Sequence, residues 1–168
     1  KEKIMSFDEK LKKMQEIKDQ AKLGGGQDRI DRQHEQGKLT ARERIDSLLD
    51  PNSFQEQGEI AGGSELNDEG KLESLTPANF ILGFGKINNK QVVVGGEDFT
   101  VKGGSPNSAG LRKSVYTEEL ALKYKIPLIR LHEGGGGSVA GPGKKSGGYG
   151  GDPVFSKSRF KSIADTLR

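Results

Sequence analysis

Ile126-Pro127-Leu128-Ile129-Arg130-Leu131 leads directly into His132-Glu133-Gly134-Gly135-Gly136-Gly137-Ser138, and ten of the eighteen residues 134–151 are glycine. The first half reads as a short apolar strand, the second as backbone almost free of side chains. A strand that opens into consecutive glycines lets main chain approach another group closely, and N–H groups left unpaired in such a turn bind an anionic oxygen. A surface linker has a similar composition but no use for an apolar anchor in front of it.

Working outward, Asp98-Phe99-Thr100-Val101 passes into Lys102-Gly103-Gly104-Ser105-Pro106. A helix is predicted from about 108 to 124, with Leu111, Val115 and Leu122 on one side and Glu118 interrupting that stripe. Upstream, residues 80–87 pair with residues 91–94 as a hairpin across Asn88-Asn89-Lys90, whose asparagines tolerate positive φ. From Val92 onward the order is strand, glycine turn, helix, strand, glycine turn. That is a βαβ unit, and its two glycine turns share one carboxyl edge of the sheet, where α/β proteins bind ligands.

The amino-terminal part reads as helical. Ser6 and Glu9 form a capping box, Phe7, Leu11, Met14, Ile17 and Ala21 make a stripe, and Gly24-Gly25-Gly26 ends the helix. The stripe is expected to pack on the protein's own core or on a partner subunit. Thr40 and Glu43 form a second capping box, followed by Ile45, Leu48 and Leu49 and stopped by Asp50-Pro51. Residues 58–78 are polar and read as an exposed loop. The division expected is a helical segment over 1–57 and an α/β unit over 58–168. The chain begins without Met and stops inside a helical pattern, so it is expected to be a piece of a longer protein.

Composition narrows the chemistry. The chain has no cysteine, so disulfides, a thiolate nucleophile and a zinc ribbon are excluded within it. The net charge of +3 is too mild to demand nucleic acid, and no apolar run approaches the roughly 20 residues that span a bilayer. Gly143-Lys144-Lys145-Ser146 invites a phosphate-loop reading, but the first glycine of that motif would fall on Ser138, and Lys145 stands where Ser or Thr is needed. The two histidines, His34 and His132, accompany no nucleophile-elbow sequence. His132 with Glu133 is too small a set for a metal, and His132 reads as a hydrogen-bonder that steadies the turn. An oxyanion site remains. Two main-chain N–H groups aimed at a thioester oxygen stabilise the enolate formed on losing an α-proton, and they require glycine turns and no particular side chain.

Residues 37–45, Gly-Lys-Leu-Thr-Ala-Arg-Glu-Arg-Ile, with Leu48-Leu49-Asp50-Pro51 and Ser53-Phe54, resemble the opening of the carboxyltransferase (beta) subunits of biotin-dependent acyl-CoA carboxylases, propionyl-CoA type. The resemblance resumes at Gly85-Lys86-Ile87-Asn88, Val92-Val93-Val94, Asp98-Phe99-Thr100-Val101 and Gly103-Gly104-Ser105. It continues through Ala121-Leu122-Lys123, Ile126-Pro127-Leu128-Ile129, the glycine loop and Gly147-Gly148-Tyr149-Gly150. It implies an α/β crotonase-like fold of ββα repeats, here an incomplete N-domain preceded by helices. It further implies transfer of a carboxyl group from carboxybiotin, carried on a separate module, to the α-carbon of an acyl-CoA. Biotin carboxylase and biotin-carrier partners, a homo-oligomer, and a cytoplasmic or mitochondrial-matrix location follow from the same resemblance, with no metal, nucleic acid or membrane. Aligned on its central glycines, the family's Asp-Ser-Gly-Gly-Ala-Arg pattern falls on residues 133–138. Gly135 and Gly136 thereby inherit the oxyanion role, flanked by Gly134 and Gly137, while Gly103, Gly104 and Ser105 lie near the CoA or acyl portion. Gly134, Gly137 and Ser138 stand where that pattern has Ser, Ala and Arg. A decarboxylase subunit running related chemistry in reverse, and a non-catalytic scaffold subunit, are the alternatives; this chain by itself is not expected to catalyse.

Overall fold

The computed structural model describes residues 6–70 and 72–133. Three helices lead: α1 (Phe7–Lys22), α2 (Gln27–Glu35) and α3 (Ala41–Leu48). Both predicted capping boxes form, Ser6 with Glu9 on α1 and Thr40 with Glu43 on α3. Asp50-Pro51 does end α3, and the Asp50 carboxylate then accepts the backbone N–H groups of Asn88 at 2.9 Å and Asn89 at 2.8 Å.

The main sheet has the order β1 (Gln55–Glu56), β4 (Phe80–Ile87), β5 (Lys90–Glu97), β6 (Leu128–Leu131). β1, β4 and β5 are antiparallel neighbours, and β6 adds parallel to β5, with Val93 opposite Leu128 and Gly96 opposite Leu131. The β4–β5 turn is the two asparagines 88 and 89, both at positive φ (50° and 62°), as a tight hairpin of right-twisted strands requires. Between β5 and β6 runs α4 (Ser108–Tyr124), capped by the Asn107 side chain on the Gly110 N–H. The βαβ unit expected from the sequence is present.

Strand alternation divides the core between two faces. Ile81, Val92 and Val94 meet Ala41, Ile45 and Leu49 of the α3 segment on one face, and Phe80, Leu82 and Val93 meet Leu120 of α4 on the other. Burying each such branched or aromatic side chain contributes about 1.5–3 kcal/mol. The glycines of β4 and β5 keep these layers close: a Cβ on Gly85 would strike the Leu49 side chain, and one on Gly95 would stand 2.7 Å from the Phe80 ring. Residues 41–56 thus share a core and a sheet with the α/β unit.

Two sequence expectations need correction, over residues 58–78 and on α4. Residues 58–78 are no open loop, because β2 (Gly62–Leu66) and β3 (Leu72–Pro77) pair there as a second, exposed hairpin. β2 is exposed throughout and β3 is half-buried without alternation, so periodicity gave no sign of the hairpin. The α1 stripe is covered at its end alone: Phe7, Leu11 and Met14 are exposed, Ile17 is half-buried and Ala21 is buried. On α4 the covered face carries Gly110, Lys113, Val115, Thr117 and Leu120, whereas Leu122 is exposed. Polar Lys113 and Thr117 sit on that face because each donates to a carbonyl, of Gly58 and Ser114 respectively, which offsets the cost of burying them. Glu118, the interruption in the stripe, pairs with Arg130 of β6 at 2.9 Å.

Candidate functional site

β5 and β6 run parallel, so both release the chain at the same edge. β5 delivers Glu97 and then the turn Asp98–Gly104, and β6 delivers His132 and Glu133. Between them lies a cavity of about 230 Å³ lined by Asn79, Phe80, Glu97, Gly104, Pro106, Gly110, Leu111, Ser114 and His132. Gly110, Leu111 and Ser114 near the start of α4 form one wall.

The turn after β5 is built by three successive left-handed residues, Lys102, Gly103 and Gly104 (φ 51°, 63° and 72°). Gly104 is buried, Ser105 half-buried and Gly103 exposed, so of the three substrate-side candidates Gly104 is the one on the cavity wall. The turn is held from below by Asn79, which is 4% exposed. Its Nδ2 donates to the Gly104 carbonyl at 3.2 Å, its Oδ1 accepts the Asn107 N–H at 3.3 Å, and its carbonyl accepts the Asp98 N–H at 2.9 Å. Gly110 lets α4 come this close, since a Cβ there would overlap the Asn79 amide oxygen. On the outer side, Asp98 Oδ1 accepts from the Thr100 N–H (2.9 Å) and hydroxyl (2.6 Å), and the Thr100 oxygen accepts the Gly25 N–H at 3.0 Å. The Gly24-Gly25-Gly26 stretch therefore does more than end α1: it docks on the turn after β5.

The exit of β6 is anchored at several atoms. The Glu97 carboxylate accepts the Glu133 N–H through Oε2 and meets His132 Nδ1 with Oε1, both at 3.1 Å. Arg44 donates to the His132 carbonyl at 3.5 Å. The Glu133 carboxylate has Gln33 Nε2 at 3.4 Å and the cations of Lys38 and Arg44 each at 3.8 Å. Lys38 also stands over the Phe99 ring, 5.7 Å from its centroid. Behind this cluster, the His34 ring and the Thr40 backbone N–H bond the Glu43 carboxyl and hold its pKa down to about 2. His132 has the hydrogen-bonding place expected of it. Gly134, Gly135, Gly136 and Gly137 lie outside the described residues.

Sequence reasoning missed Asn79, Glu97 and Gln33. Lys38 and Arg44 lie within the 37–45 stretch that carries the family resemblance, which assigned them no role at the β6 exit. Among the described residues no group of three or more His, Cys, Asp or Glu side chains could hold a metal, and no helix is long and apolar enough to cross a membrane.

Comparison with known proteins places these features. The chain is 34% identical over 147 residues to the methylmalonyl-CoA decarboxylase subunit alpha of Veillonella parvula, and 36% identical over 154 residues to the propionyl-CoA carboxylase beta chain of Roseobacter denitrificans. These alignments take in 88% and 90% of this chain but 29% of each relative, so the chain spans under a third of their length. Its fold superposes on transcarboxylase 12S, solved as a hexamer with methylmalonyl-coenzyme A bound, with a TM-score of 0.68 at 33% identity, covering 81% of this chain and 26% of that one. A single-chain, multi-domain long-chain acyl-CoA carboxylase superposes at 0.65 with 27% identity, covering 84% and 15%. The α/β fold is accordingly crotonase-like, as expected. With residues 32–161 matched, from the middle of α2 past the whole βαβ unit, the chain belongs to the carboxyl transferase domain family.

Proposed function

We propose that the protein containing this chain is a carboxyltransferase component of a biotin-dependent acyl-CoA carboxylase, and that this chain forms its acyl-CoA side. The observation that carries the reading is the parallel β5–β6 pair. It brings a left-handed glycine turn, the start of α4 and the exit of β6 at His132 around one cavity.

In this reading the acyl thioester lies at that edge. Main-chain N–H groups of Gly135 and Gly136 donate to the thioester oxygen, which gains negative charge as the α-carbon loses its proton. Gly103, Gly104 and Ser105 sit against the CoA or acyl portion, with Gly134 and Gly137 flanking the oxyanion turn. Carboxybiotin arrives as a co-substrate on a separate carrier and supplies CO₂ together with a basic ureido group that takes the α-proton. The enolate carbon then forms the new C–C bond to CO₂, and the thioester carbonyl is restored. His132 needs to take no proton in this scheme. Its bond to Glu97 gives it a holding role.

Turnover of propionyl-CoA by the full-length protein with its carboxylated carrier tests this. Gly136→Val should lower kcat by about 100- to 1000-fold, the usual cost of one oxyanion donor, because the β-branched side chain crowds the thioester oxygen. A near-normal kcat would move the oxyanion site elsewhere. The 34% identity to a methylmalonyl-CoA decarboxylase subunit supports a second reading, related chemistry in reverse. Methylmalonyl-CoA consumption with uncarboxylated carrier, without carboxylation of propionyl-CoA, would select it. No turnover in either direction would leave a scaffold subunit.

A further inference from the structure

We propose that Glu97 is a positioning residue that fixes where the chain leaves β6, and through it the oxyanion turn; the functional half of this statement rests on the carboxyltransferase reading. Glu97 is the last residue of β5 and faces the cavity. One carboxylate oxygen accepts the Glu133 backbone N–H and the other meets the His132 ring, so two consecutive residues of the neighbouring strand's exit are tied to one side chain. The β5–β6 register ends at Gly96 opposite Leu131, just before these contacts. Past that point no ladder bond is formed among the described residues, and Glu97 takes over. A charged acceptor holding a backbone N–H is a strong, directional tether. The remaining anchors, from Arg44, Lys38 and Gln33, act on the His132 carbonyl and the Glu133 side chain. The peptide between His132 and Glu133 is thus held at both ends, by Glu97 at its N–H (3.1 Å) and by Arg44 at its carbonyl (3.5 Å), and Glu97 makes the shorter bond.

Two readouts on the full-length protein separate this from a merely structural role. In the first, amide hydrogen exchange of peptides containing the Glu133 N–H is compared across wild type, Glu97→Ala and Glu97→Gln. Exchange should quicken at least tenfold in Glu97→Ala and stay within about threefold of wild type in Glu97→Gln, whose amide oxygen still accepts. Peptides from β4 and α4 should be unaltered in both. In the second, kcat for propionyl-CoA carboxylation should fall about 10- to 100-fold in Glu97→Ala, the scale of a displaced reacting group, with KM changed far less. Glu97→Gln should restore most of it. Unchanged exchange at Glu133 in Glu97→Ala overturns the tether whatever the enzyme does. Altered exchange with an unaltered kcat, or a rise in KM alone, overturns the link to the oxyanion turn. A wild-type protein without turnover counts against the carboxyltransferase reading and leaves the exchange result to decide the tether.

Discussion

Asn79 shows how much one side chain can hold. It is buried just ahead of β4, and through its side chain and carbonyl it joins the turn after β5, the cap of α4 and the Asp98 N–H. All of this depends on Gly110 leaving room for its amide oxygen. Gly110→Ala should therefore destabilise the protein by about 1–3 kcal/mol, the usual cost of overpacking, even though alanine is the better helix former. Denaturant midpoints for the two proteins measure this, and an equal or higher midpoint for the variant would show that the cap and Asn79 can shift at no cost. Residues of this kind were invisible in the sequence. Ser6 and Thr40 were legible because their capping partners lie three positions on, and the two turn asparagines because the strands they join flank them directly. Asn79 reaches Gly104 across 25 residues and Gln33 reaches Glu133 across 100, distances over which no local pattern carries a signal.

Elements with a buried face were legible; elements without one were not. β4, β5, α3 and α4 follow from apolar spacing and caps, and the βαβ order implies that β5 and β6 release the chain at one edge, as they do. The β2–β3 hairpin escaped because neither strand alternates in burial: β2 is exposed throughout and β3 is half-buried at every position but Glu73. An apolar stripe does not by itself say what covers it. α1 and α3 both carry apolar stripes, yet Ile45 on α3 is fully buried while Leu11 on α1 is 44% exposed. Ile45→Ala should cost about 2–5 kcal/mol, whereas Leu11→Gln should stay within about 0.5 kcal/mol of wild type. Thermal or denaturant unfolding distinguishes the two. A large loss for Leu11→Gln would mean that the α1 stripe is covered in the assembled protein.

Across the whole molecule, a buried charge network ties the N-terminal helices to the βαβ unit. Arg42 of α3 grips Glu56 of β1 with two hydrogen bonds of 2.6 and 3.1 Å, and Lys113 of α4 approaches the same carboxylate at 3.9 Å while donating to the Gly58 carbonyl. Burial lowers the Lys113 pKa from 10.5 to about 8, against the pull of Glu56 and with Arg42 adding to the depression. Between these values the unfolded chain binds a proton that the native protein has shed, so this group makes stability rise with pH across that window. The stability difference between wild type and Lys113→Met should accordingly move in favour of wild type between about pH 8 and about pH 10.5. Paired urea denaturation at the two ends reads the difference, and a flat one would mean Lys113 titrates normally.

The anchors of the β6 exit also set an order of events in biosynthesis. The β4–β5 hairpin closes through neighbours in sequence, but Gly25 must wait for Thr100, 75 residues on, Arg44 for His132, 88 on, and Gln33 for Glu133, 100 on. Loop-closure entropy makes such long-separation contacts late ones. At translation rates of roughly 5–20 residues per second, α2 emerges from the ribosome on the order of 5–20 s before its partner does. During that interval the edge that is to meet substrate has no floor, and the nascent chain presents α3's apolar side without the strand that completes its cover.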